Sequence, residues 1–508
     1  MIERGQLKPL QLRLFLLLFS MSGILLLGEL CTSQPLSAPT LVAKEDSNSQ
    51  PTHAFNLASA SLLNPSTSPS LLPSLISQSS SPSWAIAVGK RIVSLRENVP
   101  ILDRVVLVPD EATFLAAIQD WSLEGRYPIL IEDEKYAPLF LKRFQPGEVI
   151  RLPSVKTPLP TGKQRQELMT QVVAKAWNAT DEASLKAQWQ KLDWQPPGVV
   201  ITSSQDPAWL AAVALAADRG QPLAFIEGDF GSPNDSLSPV QWQQLKTQVQ
   251  QAVANTGHSY LNLGDTIDTV TISRQLAVKY SPGEGSLVQL AVTDGLARLE
   301  TGDRWAVVGW IYGSPARSVY QAMSSIFLNT ETAFLYDSYQ KTTPWSAYQL
   351  NSVADSLKNL GIEVQITQQP EANLQGWRKV TANGIDADLM FINSSGGAKN
   401  FNVGGQDATV SDIPKLNRPA AIHFIHSFSA TTPGDPETVA GRWLDNGAHA
   451  YVGSVHEPYL SAFMPPNLIM QQLLESVPFL IASRHLDSPV WKITTIGDPL
   501  MIMTPPKQ

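Results

Sequence analysis

The chain has 508 residues, a net charge of −8 and a single cysteine, Cys31. An acidic balance with no basic stripe or interleaved aromatics argues against nucleic acid and anionic membrane surfaces as partners. One cysteine excludes an internal disulfide and a multi-thiolate metal site, so stability has to come from ordinary packed cores, and no cofactor is expected.

At the start, Arg4, Lys8 and Arg13 precede an uncharged apolar run over residues 14–28. At ~1.5 Å per residue this run is short for a hydrocarbon core of ~30 Å, which favours a signal peptide over residues 1–33. An uncleaved N-terminal anchor is the alternative, and it is the one expected route to the membrane. Leu30 and Glu29 stand where lipidation of Cys31 would need small residues, so Cys31 is expected to leave with the leader. Residues 34–83 are rich in Ser and Pro, with runs such as Ser79-Ser80-Ser81-Pro82-Ser83. Such a segment buries too little apolar surface to offset its chain entropy and reads as a flexible linker. The expected location is outside the cytoplasm: periplasm, cell surface or secreted.

Residues 84–255 carry one pattern twice. Val105-Val106-Leu107, Phe114-Leu115-Ala116-Ala117-Ile118, Gly125, Pro128 and Ile129-Leu130-Ile131-Glu132 are echoed by Val199-Val200-Ile201, Trp209-Leu210-Ala211-Ala212-Val213, Gly220, Pro222 and Leu223-Ala224-Phe225-Ile226-Glu227. Continuous apolar runs around an Ala-rich stretch of helical period predict a βαβ unit, hence a duplicated α/β domain. Acidic residues at the strand ends, among them Asp110, Asp133, Asp206, Glu227 and Asp229, suggest oxygen ligands for Ca²⁺, although no calcium-loop spacing is present. Each copy is also similar to cell-wall-binding repeats of secreted bacterial proteins.

Residues 256–508 continue as an alternating α/β domain. Strands are expected over residues 260–265, 306–311, 333–336, 363–366, 388–393, 420–425 and 447–454, and helices over 315–328, 346–360 and 439–444, the last capped by Thr432 or Asp435. Several segments carry a family resemblance: Gly264-Asp265, Thr293-Asp294, Val308-Gly309-Trp310, Gly447-Ala448-His449-Ala450-Tyr451-Val452-Gly453-Ser454, and the closing Gly497-Asp498. Their order over about 240 residues resembles the gingipain-like, caspase-fold cysteine peptidases. The resemblance implies a three-layer α/β domain with a catalytic His after the 388–393 strand and a catalytic Cys after the 420–425 strand. Here Gly397 stands at the His position and His426-Ser427-Phe428-Ser429 follow the second strand, so the Cys-His dyad is missing. A serine hydroxyl needs a stronger local base than a thiol to act as nucleophile, so the loss removes the family's mechanism.

Three readings of function stay open. The first is a catalytically inactive peptidase homologue that binds an envelope protein, a peptide or a glycan through the His456-Glu457-Pro458-Tyr459 loop. A hydrolase that uses Ser427 or Ser454 with His456 as base is the second, with Glu457 or Asp498 as orienter and His426 as a neighbouring candidate. The third is a purely structural envelope protein. Clustering of His423, His426, His449 and His456 within 34 residues also raises a zinc site, with His426, His449 and His456 as candidate ligands. Against it, His423 and His426 are three apart in a strand and should face opposite sides.

Overall fold

The computed structural model describes residues 81–506. The expected leader, most of the linker and Cys31 lie outside these residues. Among the described residues no helix is long and apolar enough to cross a membrane.

Mixed α/β architecture is observed, as the alternating pattern predicts. Strands β1 (Arg104–Val108), β2 (Ile129–Ile131) and β3 (Glu148–Arg151) form a small parallel sheet in the order β2-β1-β3. In chain order there follow β4 (Gly198–Thr202), β5 (Leu223–Phe225), β6 (Ser236–Leu237), β7 (Thr269–Ser273), β8 (Lys279–Tyr280), β9 (Leu290–Ala291), β10 (Val307–Ile311), β11 (Thr332–Asp337), β12 (Glu363–Gln368) and β13 (Leu389–Asn393). The last are β14 (Ser395–Gly396), β15 (Asn400–Val403), β16 (Gln406–Thr409), β17 (Ala420–Ile425), β18 (Ala448–Ser454) and β19 (Ile493–Ile496). Ten of them make one sheet, ordered β12-β11-β13-β17-β18-β19-β10-β7-β4-β5.

That sheet consists of two parallel halves running in opposite directions. From β12 to β18 neighbours are parallel. β18 and β19 are antiparallel, and from β19 to β5 neighbours are parallel again. The carboxyl ends of the two halves therefore lie at opposite ends of the sheet. Apolar residues of the strands pack on both faces, with Ile422, Phe424 and Tyr451 in one core cluster and Ala421, Ile425 and Val452 in another. Helices such as Val439–Asp445 and Pro466–Leu474 cover the two faces.

Both βαβ copies form as expected, since β1 and β2, and β4 and β5, are parallel pairs around a helix. They do not share a sheet. β4 is buried throughout and pairs on its second side with β7. Gly198 permits this approach, because a Cβ there would lie 2.0 Å from Thr269 Oγ1. Hydrophobic periodicity specifies a strand but not its neighbour, so the repeat did not reveal this division.

Three expected elements are corrected. Residues 260–265 form turns, with Asn262 N–H donating to Asp265 and Gly264 N–H to Asp268; the strand is the β-branched run of β7 that follows. The helix expected over 346–360 is a 3-10 turn, Trp345–Tyr348, and a helix Asn351–Asn359. The helix expected to be capped by Thr432 or Asp435 has Thr438 at its N-cap without a side-chain cap bond, and the Thr438 hydroxyl donates back to the Thr432 and Asp435 carbonyls.

The Gly497-Asp498-Pro499 turn presses on the middle of β10. A Cβ on Gly309 would lie 2.4 Å from Gly497 O and 2.5 Å from Pro499 Cδ. Gly309→Ala is therefore expected to cost about 2–3 kcal/mol through overpacking, read as a lower urea midpoint with unchanged slope.

Candidate functional site

β13 and β17 are neighbouring parallel strands, so the loops after Asn393 and Ile425 open at the same end of the sheet as the loop after β18. The sequence candidates His426, Ser427, Ser454, His456, Glu457 and Tyr459 gather there. What these groups bond to decides what they can do.

The His426 ring is buried and stacks on Phe424 at 5.2 Å. Nε2 lies 2.9 Å from Asn400 O and Nδ1 against Ser427 O. Burial lowers the imidazole to about 4, against the opposing pull of these carbonyls, so it is neutral at pH 7 and its single N–H donates to one of the two carbonyls. His423 points to the opposite face, near Phe391 and Phe463 at 5.7 and 6.1 Å, as the three-residue strand spacing predicts.

Gly397 lies in the turn between β14 and β15 of the antiparallel ribbon β14-β15-β16, where its N–H donates to Asn400 O at 3.1 Å. Neighbouring Gly396, at φ +142°, leaves room for the His426 ring: a Cβ there would sit 3.0 Å from Nε2. The ribbon and the His426 ring thus occupy the region beside the expected base position. Asn400 went unremarked in the sequence because a carbonyl partner leaves no side-chain signature.

Ser454 is fully buried. Its Oγ is placed to donate to His456 O (2.8 Å) or His426 O (3.1 Å) and accepts from Phe428 N–H (3.0 Å). It ties two loops together through their backbones. Phe428 has φ +58°, uncommon for an aromatic residue, and its ring lies 5.1 Å from His456. Phe428 is a site residue that sequence reasoning missed; its position after Ser427 was the only signal.

Ser427 Oγ donates to Glu457 Oε1 at 2.8 Å. The half-buried His456 is held below its ordinary value by desolvation and by Lys492 and Lys279, against the pull of Glu457. Its Nδ1 is buried without a partner. Among the described residues no hydrogen bond joins the His456 ring to either serine hydroxyl; Ser454 meets only the His456 backbone carbonyl. Lys492 Nζ donates to Glu457 O at 2.7 Å and Lys279 Nζ to Thr431 O at 2.6 Å, giving the loop a cationic border.

Asp498 is not an orienter for His456. β19 runs antiparallel to β18, with Ile493 beside Ser454 and Ile496 beside Tyr451, so Asp498 follows the far end. There it is fully buried, accepting from Ser325 Oγ at 2.5 Å, Arg219 Nη2 at 3.3 Å and Leu500 N–H at 2.9 Å.

Nor do the histidines converge on a metal. Among the described residues no group of three or more His, Cys, Asp or Glu side chains is arranged to hold an ion. His449 is buried in β18 with Nδ1 unpartnered, its imidazole lowered to about 4 by burial against the attraction of Asp388. The acidic strand ends have local work instead: Asp110 caps its helix by accepting from Thr113 N–H at 2.8 Å, and Asp133 accepts from Ala137 N–H at 2.7 Å in the first turn of the helix Tyr136–Phe144. Asp206 accepts from Gln275 N–H at 2.7 Å and Ala208 N–H at 2.9 Å.

Around the loop, apolar surface is open to solvent. Tyr459 is 76% exposed, with its ring 6.5 Å from Trp491. Leu287, 91% exposed, and Val288 lead into β9, whose Ala291 N–H donates to Trp491 O at 3.4 Å. Compared with known proteins, the chain matches no family model, no curated protein and no solved structure.

Proposed function

We propose that this is an exported, catalytically silent homologue of the gingipain-like peptidases that binds a ligand outside the cytoplasm through the loop bearing His456, Glu457 and Tyr459. The observation that carries it is the combination of a spent site with an open surface. His426 and Ser454 are committed to backbone partners, while Tyr459 stands exposed on a loop that carries the Glu457 carboxylate and is held by Lys492. Amphipathic aromatics on a mixed-charge rim are typical recognition groups. An envelope protein, a peptide or a glycan each fits this chemistry.

A photo-reactive phenylalanine analogue at position 459 tests the proposal in intact cells. A discrete adduct suppressed by both Glu457→Arg and His456→Ala is expected. No adduct, or one indifferent to both changes, favours a purely structural envelope protein. The hydrolase reading keeps one supporting observation, the Ser427–Glu457 hydrogen bond beside the unpartnered His456 Nδ1; it lacks a hydrogen bond from a serine hydroxyl to an imidazole nitrogen, the first requirement of an activated hydroxyl.

A further inference from the structure

The large sheet ends at β5, which is paired on one side only. Val200 N–H donates to Pro222 O and Ile226 N–H to Thr202 O. In a parallel ladder this register turns the N–H and C=O of Ala224 toward β4 and those of Leu223 and Phe225 toward the open edge. An unpaired edge normally invites another strand unless something blocks it.

Here the open edge is shaped rather than blocked. A cleft of about 200 Å³ runs along β5, lined by Leu185 and Trp189 of helix Glu182–Lys191 on one side and Ala252 of helix Pro239–Ala254 on the other. The two helices belong to the core clusters of opposite sheet faces, so the cleft occupies the place an eleventh strand would take. Trp189 is only 3% exposed, and its indole N–H is buried with no acceptor. At the rim, Glu182 and Lys186 pair at 2.9 Å.

We infer that this cleft is a second binding site, distinct from the Tyr459 loop, that takes an extended segment of a partner polypeptide as an added strand beside β5. Leu223 and Phe225 supply the ladder bonds over about 10 Å of chain. Side chains of the added strand point alternately to the two faces, so small or β-branched apolar residues fit between the helices. The chemistry selects an uncharged β-forming stretch and rejects proline, which removes a ladder donor and fits only poorly beside a paired strand.

Fluorescence anisotropy of a labelled, end-blocked pentapeptide of alternating Thr and Val, titrated with the intact protein, tests this. Saturable binding with a Kd below about 1 mM is expected. Replacing both Val by Pro should weaken it more than tenfold. Ala252→Phe should fill the cleft and abolish binding, with the circular-dichroism spectrum checking that it folds. No saturation by 1 mM, equal binding of the proline peptide, or binding unchanged in a folded Ala252→Phe overturns the inference.

Discussion

Between pH 6.5 and pH 4 the protein is expected to lose most of its stability. Burial lowers His423 to about 3 and both His426 and His449 to about 4. An unfolded chain binds protons at these imidazoles near pH 6.5 that the folded chain refuses. Their contribution is therefore complete above the unfolded value and is lost as pH falls toward the folded values. Asp268 works in the opposite direction, since burial raises it to about 6 and the folded state takes up its proton first. Smaller shifts divide the same way, with His258 and His485 lowered and Asp206 and Asp337 raised, all mainly by burial. Three imidazoles against one carboxyl leave about two net protons, or roughly 3 kcal/mol per pH unit. Over two units that rivals the ~5–15 kcal/mol total stability of a typical domain. Urea midpoints measured from pH 7 to pH 4.5 should fall steadily. His423→Phe should flatten the slope by about one proton and raise stability at pH 5, because both ring nitrogens of His423 are buried without partners. A flat profile contradicts this.

The second large effect is at Asp294. Its Oδ1 accepts from Arg304 Nη2 at 2.6 Å and Arg484 Nη1 at 2.8 Å, and its Oδ2 from Trp491 N–H at 2.7 Å and Arg298 Nη2 at 3.3 Å. Burial alone would raise this carboxyl; Arg304, Arg484 and Arg298 together hold it below its ordinary value. One carboxylate thus balances three guanidiniums that are all under 5% exposed. Asp294→Asn keeps the shape, removes the charge and leaves the arginines facing one another. A loss of about 3–5 kcal/mol in unfolding free energy is expected, with partial recovery when Arg304→Met is added. Because the carboxyl is depressed, its contribution is present above about pH 4 and is lost only at lower pH. A loss below about 1 kcal/mol at pH 7 contradicts the balance described.

Much of the fold was legible because the strands are strongly apolar. β17 occupies residues 420–425 as expected, and β10, β13 and β18 differ from expectation by one residue. The β7 region was not, since Tyr260-Leu261-Asn262-Leu263 imitates a strand while Asp265 and Asp268 draw its backbone into turns. Reversal of the sheet at the β18–β19 seam is a pairing choice that no single strand encodes. It separates Asp498 from His456, two residues the sequence suggested as partners. At the candidate site, the clustering of His426, Ser427, Ser454 and His456 at one end of the sheet followed from strand ends. Their bonding did not, because Asn400 O, Ser427 O and His456 O are backbone atoms present at every position.

The most direct measurement on the proposed binding role is intact-mass analysis of the purified protein after incubation with a fluorophosphonate at pH 7.5. The expected result is an unmodified mass, with Ser427 held by Glu457 and Ser454 buried between backbone carbonyls. A stoichiometric adduct on Ser427 or Ser454 that disappears in His456→Ala would contradict it and establish a serine hydrolase.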